Sequence, residues 1–252
     1  MFLKKLSINK SKFFFLIFLF FFILIFSKAN AANVEIISDF PGSGPEIKNH
    51  YKVTVHYKGT LENGTEFDSS FKRNQPFIFQ IGVRQVIIGW EKGLIGMKVG
   101  GKRKIKIPPE LAYGDKGAGE IIPPNSTLIF EIEVISIQPP KYNIISSKDF
   151  SSKKDNDFVI IDIRTEEEWK KTGIIIASKK ITAFDSYGNF NPGFLNKLKS
   201  VTKKNKLDSK IIFISKKGET SAILANGFVE QLGYKNVYTL EGGIDQWIKD
   251  GY

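Results

Sequence analysis

Apolar and polar residues alternate along several short stretches in the first half of the chain. The apolar positions with a period of two are Val53, Val55 and Tyr57; Phe77, Phe79 and Ile81; Ile105 and Ile107; and Leu128, Phe130, Ile132 and Val134. This pattern predicts half-buried antiparallel strands. Asn63-Gly64 falls where a tight hairpin turn is expected, because both residue types tolerate positive φ. The short helical candidate is Gly89 to Met97, so we expect an α+β domain in which a curved antiparallel sheet wraps around a single short helix.

A different pattern follows Pro139-Pro140, a pair that cannot donate to a strand ladder and therefore marks the end of the first domain. Two short segments, Phe158 to Ile163 and Lys210 to Ser215, are almost continuously apolar, which is typical of strands buried on both faces. The segment Ser221 to Leu232 has helical spacing and ends at Gly233. Its predicted buried face consists of Ala222, Ala225, Val229 and Leu232. Strands that alternate with helices predict an α/β domain with a parallel sheet covered on both sides.

Residues 1–31 have the pattern of a secretory signal peptide. They contain no acid, begin with several lysines, continue through the wholly apolar run Phe13 to Phe26, and end at Ala29-Asn30-Ala31. The run is shorter than the roughly 20 residues that span a hydrocarbon core. We therefore expect cleavage and export, to the periplasm first of all. An uncleaved membrane anchor is the alternative. Apart from that anchor, we expect no association with a membrane.

Charge and cysteine content exclude several classes of function. The net charge of +11 falls to +6 without residues 1–31, and the remaining lysines are interleaved with acids, so we expect no nucleic-acid partner. The chain contains no cysteine, and it therefore performs no thiol chemistry.

The first domain resembles the FKBP-type peptidyl-prolyl cis-trans isomerases. The resemblance begins in the run Val55 to Trp90 and continues to Phe130, and five motifs recur in order with matching intervals. They are Tyr57-Lys58-Gly59, Phe67-Asp68, Gly89-Trp90, Ala112-Tyr113-Gly114 and Ile121-Ile122-Pro123-Pro124. Aromatic side chains in strands usually serve packing alone, but the whole set in this order favours a binding groove. The resemblance implies an FKBP-like fold, isomerase activity on X-Pro bonds, no cofactor and no metal. It also implies that proline-containing unfolded or partly folded polypeptides, and macrolide inhibitors, bind this domain.

The resemblance also implies a role for each groove residue. Those assigned to catalysis are Tyr57, Phe67, Asp68, Tyr113 and Phe130. Those assigned to substrate binding are Arg73, Phe77, Val86, Ile87, Trp90 and Ile122. In this assignment Trp90 forms the floor under the prolyl ring, and the Ile87 N–H and the Tyr113 hydroxyl hold flanking carbonyls. Asp68, positioned by Tyr57 and Arg73, orients the site and is not a general base.

Four further residues of the first domain carry expectations. Gln85 stands where the family often has an acid, and Ala118 stands where some members carry a bulkier residue; both changes are expected to tune substrate preference. Strand alternation points His56 away from Tyr57, as a packing residue. His50 is expected at the surface.

The second domain resembles the rhodanese family without its nucleophile. The pieces that carry the resemblance are Ile161-Asp162-Ile163-Arg164, Glu168-Trp169, Gly233-Tyr234 and Leu240 to Trp247. In that family a cysteine opens a loop that leads into a helix, but here Ser215 occupies its position, followed by Gly218 and by Thr220 where an arginine is frequent. A hydroxyl cannot carry a transferable sulfur, so we expect no sulfurtransferase. The loop either has a structural role only, braced by Asp162 and Arg164, or still binds an anion or an acidic peptide.

Together these patterns predict a signal peptide at 1–31, an isomerase domain at 32–138, a linker at 139–143 and a rhodanese-like domain at 144–252. The expected function is an exported isomerase that accelerates the folding of secreted or envelope proteins, with a second domain that is not catalytic. The alternative is a chaperone or scaffold that binds proline-containing segments without turnover.

Overall fold

The computed structural model describes residues 32–153, 158–202 and 207–252. The predicted signal peptide, residues 1–31, lies outside the described residues and stays a prediction. Within the described ranges no helix is both long enough and apolar enough to cross a membrane. Asn33–Tyr252 form one compact unit that contains both predicted domains.

An antiparallel sheet forms the first domain. Its strands are β1 (Glu35–Phe40), β2 (Lys52–Leu61), β3 (Glu66–Ser69), β4 (Phe77–Gln80), β5 (Lys102–Ile107) and β6 (Leu128–Gln138). The strands β1, β5, β6, β2 and β3 lie side by side in that order, and β4 pairs with the first half of β2 while β3 pairs with its second half. The predicted α+β class is confirmed, although β1 and β3 were not predicted.

The alternation along β2 produces the expected two faces. Val53, Val55 and Tyr57 are buried, and the residues between them are only partly covered. The chain then reverses at Asn63-Gly64, where Gly64 has a φ of 89° and its N–H donates to the Leu61 carbonyl. The predicted hairpin is therefore confirmed.

The helix of the first domain, α1 (Ile88–Gly93), is shorter than the predicted Gly89 to Met97. The chain leaves the helix at Leu94 and closes a turn in which the Met97 N–H donates to the Leu94 carbonyl and Gly96 is left-handed, with a φ of 80°. Leu94 and Met97 are still buried. Leu94 and Met97 therefore continue the helical spacing of the sequence although they lie in a turn, because they pack into the same core as the helix.

A parallel sheet forms the second domain. Its strands are β7 (Asn143–Ile145), β8 (Val159–Asp162), β9 (Lys179–Lys180), β10 (Ile211–Ile214) and β11 (Val237–Leu240), in the order β7, β11, β10, β8, β9. Its helices are α2 (Ser147–Ser151), α3 (Glu166–Thr172), α4 (Phe194–Val201), α5 (Glu219–Glu230) and α6 (Gly243–Lys249). Residues of α4 and α5 pack on one face of the sheet, and residues of α2 and α6 pack on the other. The predicted α/β class with both faces covered is confirmed.

The buried face of α5 differs from the predicted one. Ala222 and Ala225 are buried as expected, but Leu232 lies beyond the helix and is exposed, and Val229 is only partly covered. Leu224 and Phe228 are buried instead. Phe228 packs edge to face against Phe213 of β10 with ring centroids 4.9 Å apart, and this contact orients the helix.

Asp162 and Arg164 form a fully buried ion pair whose location differs from the prediction. The Arg164 guanidinium donates three hydrogen bonds to the Asp162 carboxylate, from Nε at 2.9 and 3.2 Å and from Nη2 at 2.6 Å. Its other bonds go to the Thr172 hydroxyl at 2.6 Å and to the Gly173 carbonyl at 2.8 Å. The pair therefore braces the end of α3 rather than the loop after β10.

The two domains share buried contacts through the segment that precedes α1. Val83 of the first domain is buried in the same apolar cluster as Tyr142 of the linker and Phe228 of the second domain. The Gln80 side chain donates to the Tyr142 hydroxyl at 3.0 Å. His50 is partly covered and lies edge-on to the Tyr142 ring. The predicted surface position of His50 is wrong, because Tyr142 packs against it.

Ion pairs surround these apolar contacts. Arg84 donates from Nε to Glu219 at 2.9 Å, and Lys52 lies 3.6 Å from Glu230, which also pairs with Lys141. Exposed pairs of this kind each contribute little to stability. Their placement fixes which surfaces of the two domains meet.

Gly243 provides a test of the packing between α6 and the loop after β10. It has a φ of 62°, and a Cβ at this position would lie 2.4 Å from the Ser215 carbonyl oxygen. Gly188 has a φ of 86°, and a Cβ there would meet no atom within 4 Å, so it serves as the control for backbone strain alone. We expect Gly188→Ala to cost about 1–2 kcal/mol and Gly243→Ala to cost about 2 kcal/mol more, because of the collision. Urea denaturation followed by circular dichroism measures both free energies of unfolding, and equal losses would contradict this packing.

Candidate functional site

An aromatic box surrounds Trp90 in the first turn of α1. The indole is 4% exposed, and its ring centroid lies 5.2 Å from those of Tyr57 and Phe130, each ring standing nearly perpendicular to it. The helix can approach the sheet this closely because Gly89 has no side chain. A Cβ on Gly89 would lie 2.4 Å from Cγ2 of Ile107. The predicted floor of the groove is therefore placed by close contact between α1 and β5.

The walls of the box come from three strands. Phe77 of β4 lies 6.0 Å from Tyr57 and 6.1 Å from Trp90, and Phe67 of β3 meets Phe130 of β6 edge to face at 5.5 Å. Gly59 makes room for this last pair, because a Cβ there would lie 2.6 Å from the Phe67 ring and 2.9 Å from the Phe130 ring. Phe130 is buried, whereas Phe77 remains 36% exposed at the rim.

A polar triad closes one side of the box. The Tyr57 hydroxyl donates to one oxygen of Asp68, and Arg73 donates to the other oxygen from Nη1 and to the Tyr57 hydroxyl from Nη2, the latter at 3.0 Å. Burial raises the pKa of Asp68, but the hydrogen bonds from Tyr57 and Arg73 and the charge of Arg73 outweigh it, so this pKa lies below its ordinary value. Burial and the hydrogen bond to Asp68 raise the pKa of Tyr57. At neutral pH Asp68 is therefore ionised, saturated with donors and unsuited to act as a base.

Tyr113 lies between two short 3-10 turns, Pro109–Leu111 and Gly114–Lys116, and is near enough to Asp68 to be affected by its charge. Its side chain is 41% exposed, and within the described ranges its hydroxyl has no hydrogen-bond partner. Burial, followed by the charge of Asp68, raises its pKa, so the hydroxyl keeps its proton at neutral pH. It is a free donor at the mouth of the box.

The loop after Tyr113 is folded against itself. Ala118 and Ile122 exchange two backbone hydrogen bonds, at 2.9 and 3.1 Å. Gly117 permits this fold because its φ is 64° and a Cβ would lie 2.2 Å from the Ile122 carbonyl oxygen. Ile122 is buried beneath the loop while Ile121 is 60% exposed. The backbone of the loop therefore holds Ile122 in place, and its role at the groove stays a prediction.

Val86 and Ile87 line the remaining edge and are half-buried. The Ile87 carbonyl accepts from the N–H groups of Trp90 and Glu91, while no acceptor for the Ile87 N–H occurs in the part of the chain that the structure describes. The Glu91 carboxylate accepts from the backbone N–H groups of Gly82 and Arg84, which folds the segment before Ile87. Within the described ranges the Ile87 N–H is therefore a free backbone donor directly before α1.

Ser70, which the sequence did not single out, also shapes this site, together with His56 and Gln85, whose bonds were not predicted. The fully buried Ser70 hydroxyl accepts from the Tyr57 N–H at 2.7 Å and also bonds the His56 ring at 3.0 Å. His56 stacks on Phe71 at 4.7 Å, consistent with its predicted packing role. The Gln85 side chain accepts from the Gln80 N–H at 2.7 Å, so its oxygen is engaged within the protein. Nothing in one sequence signals these bonds, because serine and glutamine at turns are common.

The structure thus joins seven of the eleven predicted groove residues by direct contacts: Tyr57, Phe67, Asp68, Arg73, Phe77, Trp90 and Phe130. Ile87 is bonded to Trp90 through its carbonyl, and Tyr113 is near enough to Asp68 for that charge to act on its pKa. The place of Val86 and Ile122 in the groove stays a prediction. The roles of the individual residues remain predictions. Across residues 32–153, 158–202 and 207–252, no cluster of three or more acidic or histidine side chains is placed to hold a metal ion.

The loop from Ser215 to Ser221 in the second domain satisfies its own polar groups. The buried Ser215 hydroxyl accepts from the Gly218 N–H at 3.1 Å and from the Ser221 N–H at 3.2 Å, and it bonds the Ser221 hydroxyl at 3.0 Å. Gly218 is left-handed, with a φ of 89°, and Thr220 lies in the first turn of α5. Two of the N–H groups that an anion would need are therefore already occupied by Ser215.

Comparison with known proteins finds a family match in each half of the chain. A family model described as FKBP-type peptidyl-prolyl cis-trans isomerase matches residues 44–135, and one described as Rhodanese-like domain matches residues 146–250. The FK506-binding protein of Neisseria meningitidis serogroup A is 54% identical over 103 residues, which are 40% of this chain and 94% of that protein. FK506-binding protein 1 of Dictyostelium discoideum is 50% identical over 105 residues, which are 42% of this chain and 96% of that protein. The crystal structure of AtFKBP13 is 45% identical, covers 41% of this chain and 90% of that chain, and has a TM-score of 0.37.

The pKa directions in the groove predict how its activity depends on pH. The pKa of Asp68 is lowered, and those of Tyr57 and Tyr113 are raised. None of the three groups therefore changes charge between about pH 5 and pH 9. We expect kcat/KM for an X-Pro peptide to be flat over this range. As the pH falls through the lowered pKa of Asp68, the carboxylate is protonated, its bonds from Tyr57 and Arg73 weaken, and activity declines. A bell-shaped profile centred near neutrality would indicate acid–base catalysis and contradict this assignment.

Proposed function

Because the chain belongs to the FKBP-type peptidyl-prolyl cis-trans isomerase family, we propose that it is an exported folding catalyst that acts on X-Pro bonds of secreted or envelope proteins. The chain is a peptidyl-prolyl isomerase that also carries a rhodanese-like domain. Export, a periplasmic location and the class of client are the parts that we propose. The observation that carries the proposal is the dry aromatic box around Trp90, which is flanked by two unused donors, the Ile87 N–H and the Tyr113 hydroxyl.

Rotation about an X-Pro bond is opposed by amide resonance, which sets a barrier of about 18–20 kcal/mol. As the amide twists, it loses resonance, and its carbonyl and nitrogen lose part of the polarity that water solvates. An apolar box therefore disfavours the planar amide more than the twisted one, which lowers the barrier without a nucleophile. The prolyl ring is itself flat and apolar, and it fits over the Trp90 indole.

The polar groups at the rim hold the substrate while the bond turns. The Tyr113 hydroxyl and the Ile87 N–H each donate to a peptide carbonyl on either side of the proline, so the flanking chain is fixed. The edges of Tyr57, Phe67 and Phe130 surround the carbonyl that rotates. Asp68 keeps Tyr57 and Arg73 in place through the bonds described above, and no proton is transferred.

The same groove supports binding of macrolides. Relatives of this chain are named FK506-binding proteins, and we extend this to FK506 as a competitive inhibitor here, because an apolar ring compound fits the same walls as the prolyl ring. The second domain is proposed as a non-catalytic module. With serine in place of a thiol it has no group to carry sulfur.

Tyr113→Phe tests the donor at the rim. Loss of one substrate hydrogen bond is expected to lower kcat/KM for an X-Pro peptide by about fivefold to tenfold. Tyr187→Phe is the matched control, because Tyr187 is 90% exposed in the second domain. Relaxation of a short X-Pro peptide after a solvent jump measures the rate. If the unaltered chain binds the peptide saturably without accelerating relaxation, the chaperone alternative is correct and this proposal is wrong.

Export is tested by fractionation of a Gram-negative host that expresses the full chain with a C-terminal tag. We expect the protein in the periplasmic fraction with an N-terminus at Ala32, because the apolar run and the small residues up to Ala31 suit a signal peptidase. The control carries Phe18→Arg and Phe20→Arg, which interrupt the apolar run and are expected to retain the protein in the cytoplasm. An intact N-terminus in the membrane fraction would establish the anchor instead.

A further inference from the structure

A cleft of about 640 Å³ lies between the two domains, next to the isomerase groove. The first domain contributes Arg84, Ile88 and Glu91 to its lining, and the second domain contributes Ser147, Lys217 and Glu219. Family resemblance accounts for neither the cleft nor its lining, because the cleft exists only where these two domains meet.

Two buried polar atoms in this lining have no hydrogen-bond partner. Ser147 is 3% exposed, and its hydroxyl oxygen has no partner in the described part of the chain; the same is true of Nδ1 of His50. Burial of a polar atom without a hydrogen bond is unfavourable. His50 also has a φ of 71°, a strained conformation for a residue with a side chain. Because both residues line the cleft, a ligand with hydrogen-bonding groups would satisfy these atoms once the side chains turn towards it.

The charges of the lining nearly cancel, which favours a ligand without net charge. The lining contains three cations and four acids: Arg84, Lys92 and Lys217, and Glu91, Glu219, Glu241 and Asp250. Arg84 and Glu219 pair with each other at 2.9 Å, and the Glu91 carboxylate is engaged by the backbone N–H groups of Gly82 and Arg84. Burial lowers the pKa of His50, so its ring is uncharged at neutral pH and offers one donor and one acceptor. Serine and neutral histidine suit the alternating N–H and C=O groups of a polypeptide main chain.

The cleft is within reach of a peptide bound at the groove. Ile87 provides the free N–H at the groove edge, and Ile88, the next residue, is 47% exposed and lines the cleft. An extended chain advances about 3.3–3.6 Å per residue. A substrate held by the Ile87 N–H therefore needs only a few further residues to enter the space between the domains.

We propose that this cleft binds the residues that flank the target proline in a client polypeptide, on the side that leaves the groove past Ile88. This inference rests on the isomerase function proposed above. It gives the second domain a direct part in substrate binding: the rhodanese-like fold supplies one wall of an extended site and no chemistry of its own.

The test compares a four-residue X-Pro peptide with the same peptide extended by six uncharged residues on either its N-terminal or its C-terminal side. With the full chain, we expect one of the two extensions to raise kcat/KM by about fivefold through a lower KM, as one or two added hydrogen bonds would. Lys217→Trp fills the cleft with a bulky ring and is expected to bring the ratio of extended to short kcat/KM to about one. Lys216→Trp, an equally exposed neighbour outside the lining, is the matched control and is expected to preserve the ratio.

Ser147→Ala distinguishes two interpretations of the Ser147 hydroxyl: that it binds the client, or that it is unsatisfied and has no role in binding. If Ser147 binds the client, the variant lowers the ratio while the protein stays folded, as a thermal melt would verify. The inference is overturned if Ser147→Ala leaves the ratio of extended to short kcat/KM unchanged and Lys217→Trp gives the same ratio as Lys216→Trp. It is also overturned if neither extension raises kcat/KM with the full chain. Failure to accelerate even the four-residue peptide would instead refute the isomerase function itself.

Discussion

Exclusion of water from the space around the Trp90 indole is the constraint on which the first domain depends. A solvated groove would stabilise the planar amide as well as bulk water does, and the rings would then provide no rate advantage. Two glycines, at positions 59 and 89, secure the exclusion by letting rings and a helix approach where any side chain would collide. The polar triad of Tyr57, Asp68 and Arg73 lies at the side, where its charge is shared among three groups and does not draw water onto the floor.

The strands that could be predicted are those whose pattern of apolar and polar residues is set by burial of one or both faces. β2, β5 and β6 alternate because each has one face on the core, and β8 and β10 are continuously apolar because both faces are covered. The predicted length of α1 was wrong because apolar residues in a turn and in a helix can have the same spacing. The predicted buried face of α5 was wrong because Phe228 packs against Phe213 of β10. The periodicity of a single sequence does not show which partner a helix packs against.

Contacts between distant segments account for what could not be predicted at the site. Motif order was enough to bring Tyr57, Asp68 and Trp90 to one region, but not to show that Ser70 binds the Tyr57 backbone. Nor could it place Val83, an ordinary loop residue of the first domain, inside a cluster of the second. His50 had no pattern of its own, and its burial depends on Tyr142, which the linker supplies. The packing of the two domains against each other is thus the least predictable feature. It is also the feature with most bearing on the proposed binding of extended substrates.

The Ser215 hydroxyl fills the cradle that its own loop builds, and this has a consequence for working conditions. A thiolate in such a cradle must be kept reduced, and peroxide can convert it irreversibly to higher acids. With an alcohol there, and with no cysteine anywhere in the sequence, the protein has no thiol that oxidants could inactivate and cannot be trapped in mixed disulfides with immature clients. It is a catalyst whose performance is independent of the ambient thiol–disulfide balance.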